Sequence, residues 1–277
     1  MMHNHSTTPP SNVTNIRPLG KLAVNNDAYD LSSIILGANN LPINLGINSE
    51  SLVTLNTHTH SAAEILRAEI PLWAKLLGAR PIGTFEVIHP SMCFQPYELT
   101  ALIHCIASAF NVHSMSKRQH RAICSIDDIN NETLALLKGL GFTQLQIQIP
   151  QLESLTSPAF HERCQTINDY HFDFFGIQLT HSDCLDQLAP SIRSFVQQCH
   201  PDYIFIGLRS LNITLSSEDK QSARIIIDEG NQHHDNLCLG PESTSTLNGY
   251  TLQHLCSPQR YKQCIEDGRL PLHITKK

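Results

Sequence analysis

Long apolar runs are missing from this 277-residue chain. A membrane-spanning helix needs about 18 or more consecutive apolar residues, so no membrane span is expected. The N-terminal MMHNHSTTPP carries neither the basic nor the apolar segment of a secretory signal, and the cytoplasm is the expected compartment. Charge is scarce, at 16% Asp, Glu, Lys and Arg, and 19 basic against 25 acidic residues leave a net -6. No basic block or basic–aromatic stripe occurs, so nucleic acid is not an expected partner. Cysteine pairs at short spacing are missing too. The nine cysteines (Cys93, Cys105, Cys124, Cys164, Cys184, Cys199, Cys238, Cys256 and Cys264) form no C-x-x-C and no C-x-x-x-C-x-x-C. Without close pairs to gather ligands, no zinc or iron–sulfur centre of that kind is expected. The thiols read as reduced, buried apolar side chains. There is no G-x-S-x-G to raise a serine nucleophile. There is no G-x-x-x-x-G-K-[ST] to cradle phosphates, and Gly139-Leu140-Gly141 reads as a helix end rather than a dinucleotide turn.

What is present is an alternation of strand and helix patterns. Residues 1–28 are polar, with Pro9-Pro10, and read as a disordered leader; residues 29–277 read as a single α/β domain. Apolar runs predict strands near 32–36 (SSIIL), 83–88, 121–126, 144–149, 173–179, 203–208 and 222–228. Helical periodicity falls near 60–77, 96–110, 131–140, 157–169, 183–199 and 257–267. Leu134, Leu136, Leu137 and Leu140 form an apolar stripe, with Gly141 where a helix C-cap is wanted. Strand–helix–strand repetition predicts a parallel sheet, as either a doubly wound sheet or a partial (β/α)6-type barrel. In such folds functional residues gather at the C-terminal strand ends.

Four histidines fall at or near such ends. Thr57-His58-Thr59-His60 follows the run Leu52–Asn56, His89 follows FEVI, and His181 follows GIQLT. Together they could hold a divalent metal for a hydrolase whose bound water is the nucleophile, with Glu86 or Asp183 as carboxylate. With 16 histidines in the chain, the plainer reading is polar turn residues and helix caps. His233-His234 lies in an Asn- and Asp-rich loop and reads as solvated. His200-Pro201 reads as a helix stop.

The C-terminal stretch LCLGPESTSTLNGYTLQHLCSPQRYKQCIEDGRLPLH resembles the segment that closes the catalytic domain of oxygen-independent coproporphyrinogen III oxidases, which are radical S-adenosylmethionine (SAM) proteins. Leu239-Gly240-Pro241, Ser243, Ser245, Tyr261 and Gly268-Arg269-Leu270-Pro271 match the family pattern in order and spacing. DDINNETLALLKGLGFTQLQIQI and CHPDYIFIGL look like further parts of it, so the resemblance spans roughly residues 30–277. It implies a radical-SAM-like core. It also implies a C-x-x-x-C-x-x-C just after the first strand, where three thiolates bind a [4Fe–4S] cluster. The expected positions are Asn40, Asn44 and Ile47, none of them a thiolate. The family's G-G-G-T-P after the second strand is replaced by Glu86-Val87-Ile88-His89-Pro90. Its acidic residue on the third strand falls near Cys124 or Ser125, and the glutamine of the fourth near Pro150. The resemblance therefore implies a non-catalytic relative, with no [4Fe–4S] cluster and no SAM expected as cofactors. Such a protein would bind a tetrapyrrole (a porphyrin or heme) or a protein partner of that pathway. A metal-dependent hydrolase using His58, His60, His89 and His181, and a structural or interaction subunit, are the alternatives.

Overall fold

The computed structural model describes residues 42–55, 61–78, 80–112, 119–149, 157–179, 199, 201–206, 224–227, 235–254 and 256–276. Along the chain lie β1 (Ile43–Asn48), α1 (Ser49–Leu52), a 3-10 turn (Val53–Leu55), α2 (Ala62–Leu77), β2 (Pro81–Ile88), α3 (Pro90–Cys93) and α4 (Pro96–Ala109). Then follow β3 (Asn111–Val112), β4 (Gln119–Ser125), a second 3-10 turn (Ile126–Asp128), α5 (Asn131–Gly139), β5 (Gln144–Ile149), α6 (Pro158–Asp169) and β6 (Phe174–Leu179). The remaining elements are β7 (Tyr203–Ile206), β8 (Arg224–Ile227), β9 (Asn236–Leu239), β10 (Thr244–Leu247), β11 (Tyr250–Gln253), α7 (Pro258–Glu266) and β12 (His273–Lys276).

All strands among the described residues belong to one sheet, in the order β12-β11-β10-β9-β1-β2-β4-β5-β6-β7-β8, with β3 beside β2. From β9 through β1 to β8 the pairing is parallel; β9 to β12 pair antiparallel. Among the described residues β8 and β12 remain edges, so the sheet is not closed. The expected α/β architecture with a parallel sheet is what the chain adopts. No helix among the described residues is long and apolar enough to cross a membrane.

Period-2 alternation gives the sheet two unlike faces. Ile43, Leu45 and Ile47 of β1, Phe85 and Val87 of β2, Ala122 and Cys124 of β4, and Leu145, Ile147 and Ile149 of β5 are buried in the main core. Helices supply the other side of that core. α2 starts at a capping box in which Ser61 and Glu64 exchange side-chain and backbone bonds, and it packs on α4 and α7. α5 ends as its sequence predicts: Gly141 takes φ +83, Gly141 N–H bonds Lys138 O, and Phe142 N–H bonds Leu137 O, the two bonds of a Schellman cap.

Two segments differ from the sequence expectation. The first described strand is Ile43–Asn48, in parallel register between β2 and β9. It occupies the stretch read above as the loop after a strand at 32–36, which itself lies outside the described residues. Asn44 and Ile47 are therefore strand residues, alternating between the sheet's two faces, not loop positions. INLGIN carries its apolar residues at every second position, and that alternation is the physical reason it enters the sheet. The C-terminal stretch read as a loop and one helix holds β9 to β12 as well. Its turn signal is Asn248-Gly249, both at positive φ (53° and 76°) between paired Leu247 and Tyr250, the two-residue hairpin turn that Asn-Gly favours.

Candidate functional site

The sheet's second face is polar. In register across β1, β2, β4, β5 and β6 stand Asn44 and Thr84, then Glu86, Arg121 and Gln144, then Gln146, and finally Gln148 and Gln178. They bond to one another sideways: Thr84 Oγ1 to Asn44 Oδ1 (2.5 Å), Arg121 to Glu86 (3.3 Å) and to Gln144 Oε1 (3.1 Å), and Gln146 Nε2 to Gln178 Oε1 (2.7 Å). Arg121 and Glu86 are each about one-third exposed (36% and 35%), so their ion pair adds little stability. A face of amides and one compensated ion pair presents many hydrogen-bonding groups and almost no net charge.

At the C-terminal end of this face sits His89. It takes a left-handed conformation (φ 49°, ψ 55°), turning β2 into α3, where Pro90 stands at the first helical position. Such a conformation costs a β-carbon-bearing residue about 1 kcal/mol or more. The backbone bond from His89 N–H to Ile123 O (2.7 Å) and the buried ring hold it there. Nε2 lies 2.7 Å from Gln148 Oε1 and 3.6 Å from the exposed carboxylate of Glu50 on α1. An amide oxygen only accepts, so Nε2 carries a proton there, and Nδ1 has no hydrogen-bond partner among the described residues. Three strand ends thus converge on His89, Gln148 and Glu50.

A second polar constellation lies wholly inside the protein. Glu69 of α2 has zero exposure. Its carboxylate accepts from Trp73 Nε1 (3.0 Å), from the Tyr261 hydroxyl of α7, and from Gly240 N–H (3.1 Å). His254 adjoins them, with Nε2 3.8 Å from Glu69 Oε1. Nδ1 of His254 lies 2.7 Å from Gly240 O, which only accepts, so Nδ1 holds the proton. Ser243 gives its own hydrogen to Cys238 O (2.9 Å) and accepts from the same Nδ1–H. Burial first, and the Glu69 charge second, push the Tyr261 hydroxyl well above its ordinary range, so it stays a donor. Gly240 is at φ +104, and a β-carbon there would meet Leu52 Cδ2 at 2.8 Å. The residues matched at the sequence level, Gly240, Ser243 and Tyr261, are therefore one buried lock around Glu69.

Of the sequence-predicted site residues, Asn44, Ile47, Glu86, Val87, Ile88, His89, Cys124 and Ser125 are described. His89 and Glu86 face the polar side, Val87 and Cys124 the apolar core. His58, His60, His181, Asp183, Asn40, Pro150, His200, His233 and His234 lie outside the described residues, as does the 1–28 leader. Among the described residues no three His, Cys, Asp or Glu side chains are placed to hold a metal ion. The segment that follows β1, Ser49–Leu55, contains no thiol. Among the described residues Cys93 lies beside it; its Sγ donates to Ser49 O (3.0 Å), and burial, with Glu98, pushes it up to about 11. A segment with no thiol of its own does not fit a [4Fe–4S] cluster, which is held by cysteine thiolates.

No protein-family model and no curated protein matches the chain. Solved structures do. Coproporphyrinogen III oxidase (HemN) from Escherichia coli, described as a radical SAM enzyme, superposes with a TM-score of 0.64 at 13% identity, over 88% of this chain and 73% of the oxidase. This chain has a fold similar to that oxidase's. At 13% identity the likeness is one of fold alone. HydG, a maturase of the [FeFe]-hydrogenase, matches at a TM-score of 0.37 and 11% identity over 69% of this chain and 50% of that one, too partial to add to the argument.

Glu69, His254 and the glutamine row were not singled out in the sequence. Both had a signal. Glu69 sits on the apolar stripe Leu66–Ile70–Trp73 of its helix, where a charge demands buried partners. QLQIQI alternates glutamine with apolar residues on a central strand, which marks a polar interior face.

Proposed function

We propose that this chain is a non-catalytic relative of the oxygen-independent coproporphyrinogen III oxidases, a protein that binds a ligand rather than converting one. The observation that carries the reading is a missing donor set on an oxidase-like fold. The segment after β1, where the family's three cysteines belong, has none, and the whole chain has no C-x-x-x-C-x-x-C. The glycine-rich approach after the second strand is also filled. Glu86 engages Arg121 on the inner face, and His89 closes the strand end through Gln148. Side chains occupy space that glycines leave open for a cofactor's approach. The oxidase-like fold makes a tetrapyrrole the first ligand to try, and a protein partner the second.

Anaerobic reconstitution with iron and sulfide is expected to leave the full chain without visible iron–sulfur absorption and without stoichiometric iron. A stoichiometric cluster would sink the reading. Titration with coproporphyrin III under the same conditions is expected to quench Trp73 fluorescence saturably. A flat titration removes the tetrapyrrole and leaves the protein partner, to be sought by native mass spectrometry.

A further inference from the structure

Gly46 lies inside β1, a strand paired on both sides. Glycine weakens a strand interior, so its presence there needs a cause. The usual causes do not operate. Gly46 is not at positive φ. The break in the β1–β2 register comes earlier, between Ile43 and Asn44. No neighbour crowds it either: a β-carbon added at Gly46 would meet Cys238 Sγ at 3.5 Å and Leu237 O at 4.0 Å, which is ordinary contact. At Gly83, by contrast, the same carbon would strike Pro42 at 2.7 Å. The cause that remains for Gly46 is the close approach of a ligand to the backbone.

The surroundings say what kind of ligand. Cys238 of β9 and Glu86 of β2 flank Gly46 in register, with Arg121 next to Glu86; Asn236 stands opposite Asn44. All are half-buried rather than sealed, so a solute reaches them. Two strand spacings separate β9 from β2, so the bay is about 10 Å wide, enough for a single sugar ring. Asn44 Oδ1 accepts from Thr84, Asn236 Nδ2 donates to Cys238 Sγ (3.4 Å), and Arg121 uses Nε on Gln144 and Nη1 on Glu86 Oε2. Among the described residues this leaves Asn44 Nδ2 and Arg121 Nη2 as donors, and Asn236 Oδ1 and Glu86 Oε1 as acceptors. Burial, above all, holds the Cys238 thiol above its ordinary range, so that wall is uncharged.

We propose that the bay over Gly46 binds a neutral saccharide. A hydroxyl gives one hydrogen bond and takes another, so it satisfies a donor and an acceptor that stand side by side. The bay offers that pairing twice, at Glu86 with Arg121 and at Asn44 with Asn236, around a floor that has no side chain. Glu86 and Arg121 already compensate one another, so an ion finds no unmatched charge there. The inference goes beyond the proposed function. A flat coproporphyrin titration leaves it standing, and a saturable one does not supply it.

The test is saturation-transfer NMR on the full chain with D-glucose, D-galactose, D-ribose and N-acetyl-D-glucosamine, and with glutamine and glycinamide as amide controls. The expected result is a saturable signal from at least one sugar and none from the controls. Gly46→Ala, whose methyl fits without a clash, should bind that sugar at least about tenfold more weakly and unfold at an unchanged or higher urea midpoint. Glu86→Gln, which adds no bulk, should weaken it by a similar factor. Silence from every sugar overturns the proposal, and so does a preference for the amide controls. Binding that is unchanged in either variant places the sugar elsewhere and overturns it too. A lowered midpoint in Gly46→Ala shows that packing demands the glycine, and removes the premise.

Discussion

Glu69 is a full carboxylate at zero exposure, and its donors decide whether the fold tolerates it. A buried charge is stable only where each lone pair finds a partner. Tyr261→Phe removes one donor and is expected to cost about 1–3 kcal/mol, read as a lower urea midpoint with an unchanged slope. Gly240→Ala imposes both a left-handed φ and a clash with Leu52, and about 1–3 kcal/mol is expected by the same measurement. His254 should report its proton on Nδ1 in a nitrogen-15 histidine spectrum; a proton found only on Nε2 would contradict the bonds to Gly240 and Ser243. Asp267 offers a pH test at the surface. Hydrogen bonds from Arg269 and then Gln263 hold its carboxyl below the usual range. Its contribution is therefore present above the ordinary carboxylate value and is lost as pH falls through the depressed one. Arg269→Ala should raise the Asp267 midpoint in an NMR titration.

Elements meet through a few polar joints. Asp235, at the start of β9, accepts from Arg80 (2.6 Å) at the start of β2 and from Asn248 N–H (2.7 Å) in the hairpin turn. Its own carbonyl takes Asn44 N–H (3.0 Å) of β1. Arg80 is almost fully buried, at 5% side-chain exposure. Removing its counter-charge with Asp235→Ala should cost about 3 kcal/mol or more, seen as loss of cooperative thermal unfolding at the β1–β9 junction. α5 and α7 end alike. Gly268 N–H bonds Ile265 O and Arg269 N–H bonds Cys264 O, at φ +72 for Gly268. The matched Gly268-Arg269-Leu270-Pro271 is thus a helix stop that turns the chain so that Leu270 enters the core. Its role is conformational, which is why a motif-level match there speaks to fold rather than to chemistry.

At the scale of the whole molecule, the described strands form one continuous sheet that divides an apolar core beneath its helices from a polar face. The strand pattern made most of this legible. The apolar–polar alternation of QLQIQI, the stripe of α5 with Gly141, and the proline-led starts of α4, α6 and α7 all sit where periodicity and capping place them. The short strands β9 to β12 were harder to read. Four-residue strands carry too few alternations to stand out, and the parallel partner of β9, β1, lies far away in the chain, with Asn44 opposite Asn236. The candidate site was legible only in part. His89 was visible as a histidine at a strand end, but its partners Gln148 and Glu50 come from β5 and α1.

The sequence by itself determined the α/β class, the helix boundaries and the absence of clustered thiols, because each depends on residues near one another along the chain. Tertiary structure alone decided that Ile43–Asn48 is a central strand, and that Gly240, Ser243, His254 and Tyr261 lock around Glu69. Each of those is a meeting of distant segments. Their pairing is fixed by sheet register and by the cost of leaving a buried charge or amide unsatisfied, which no short window of sequence expresses.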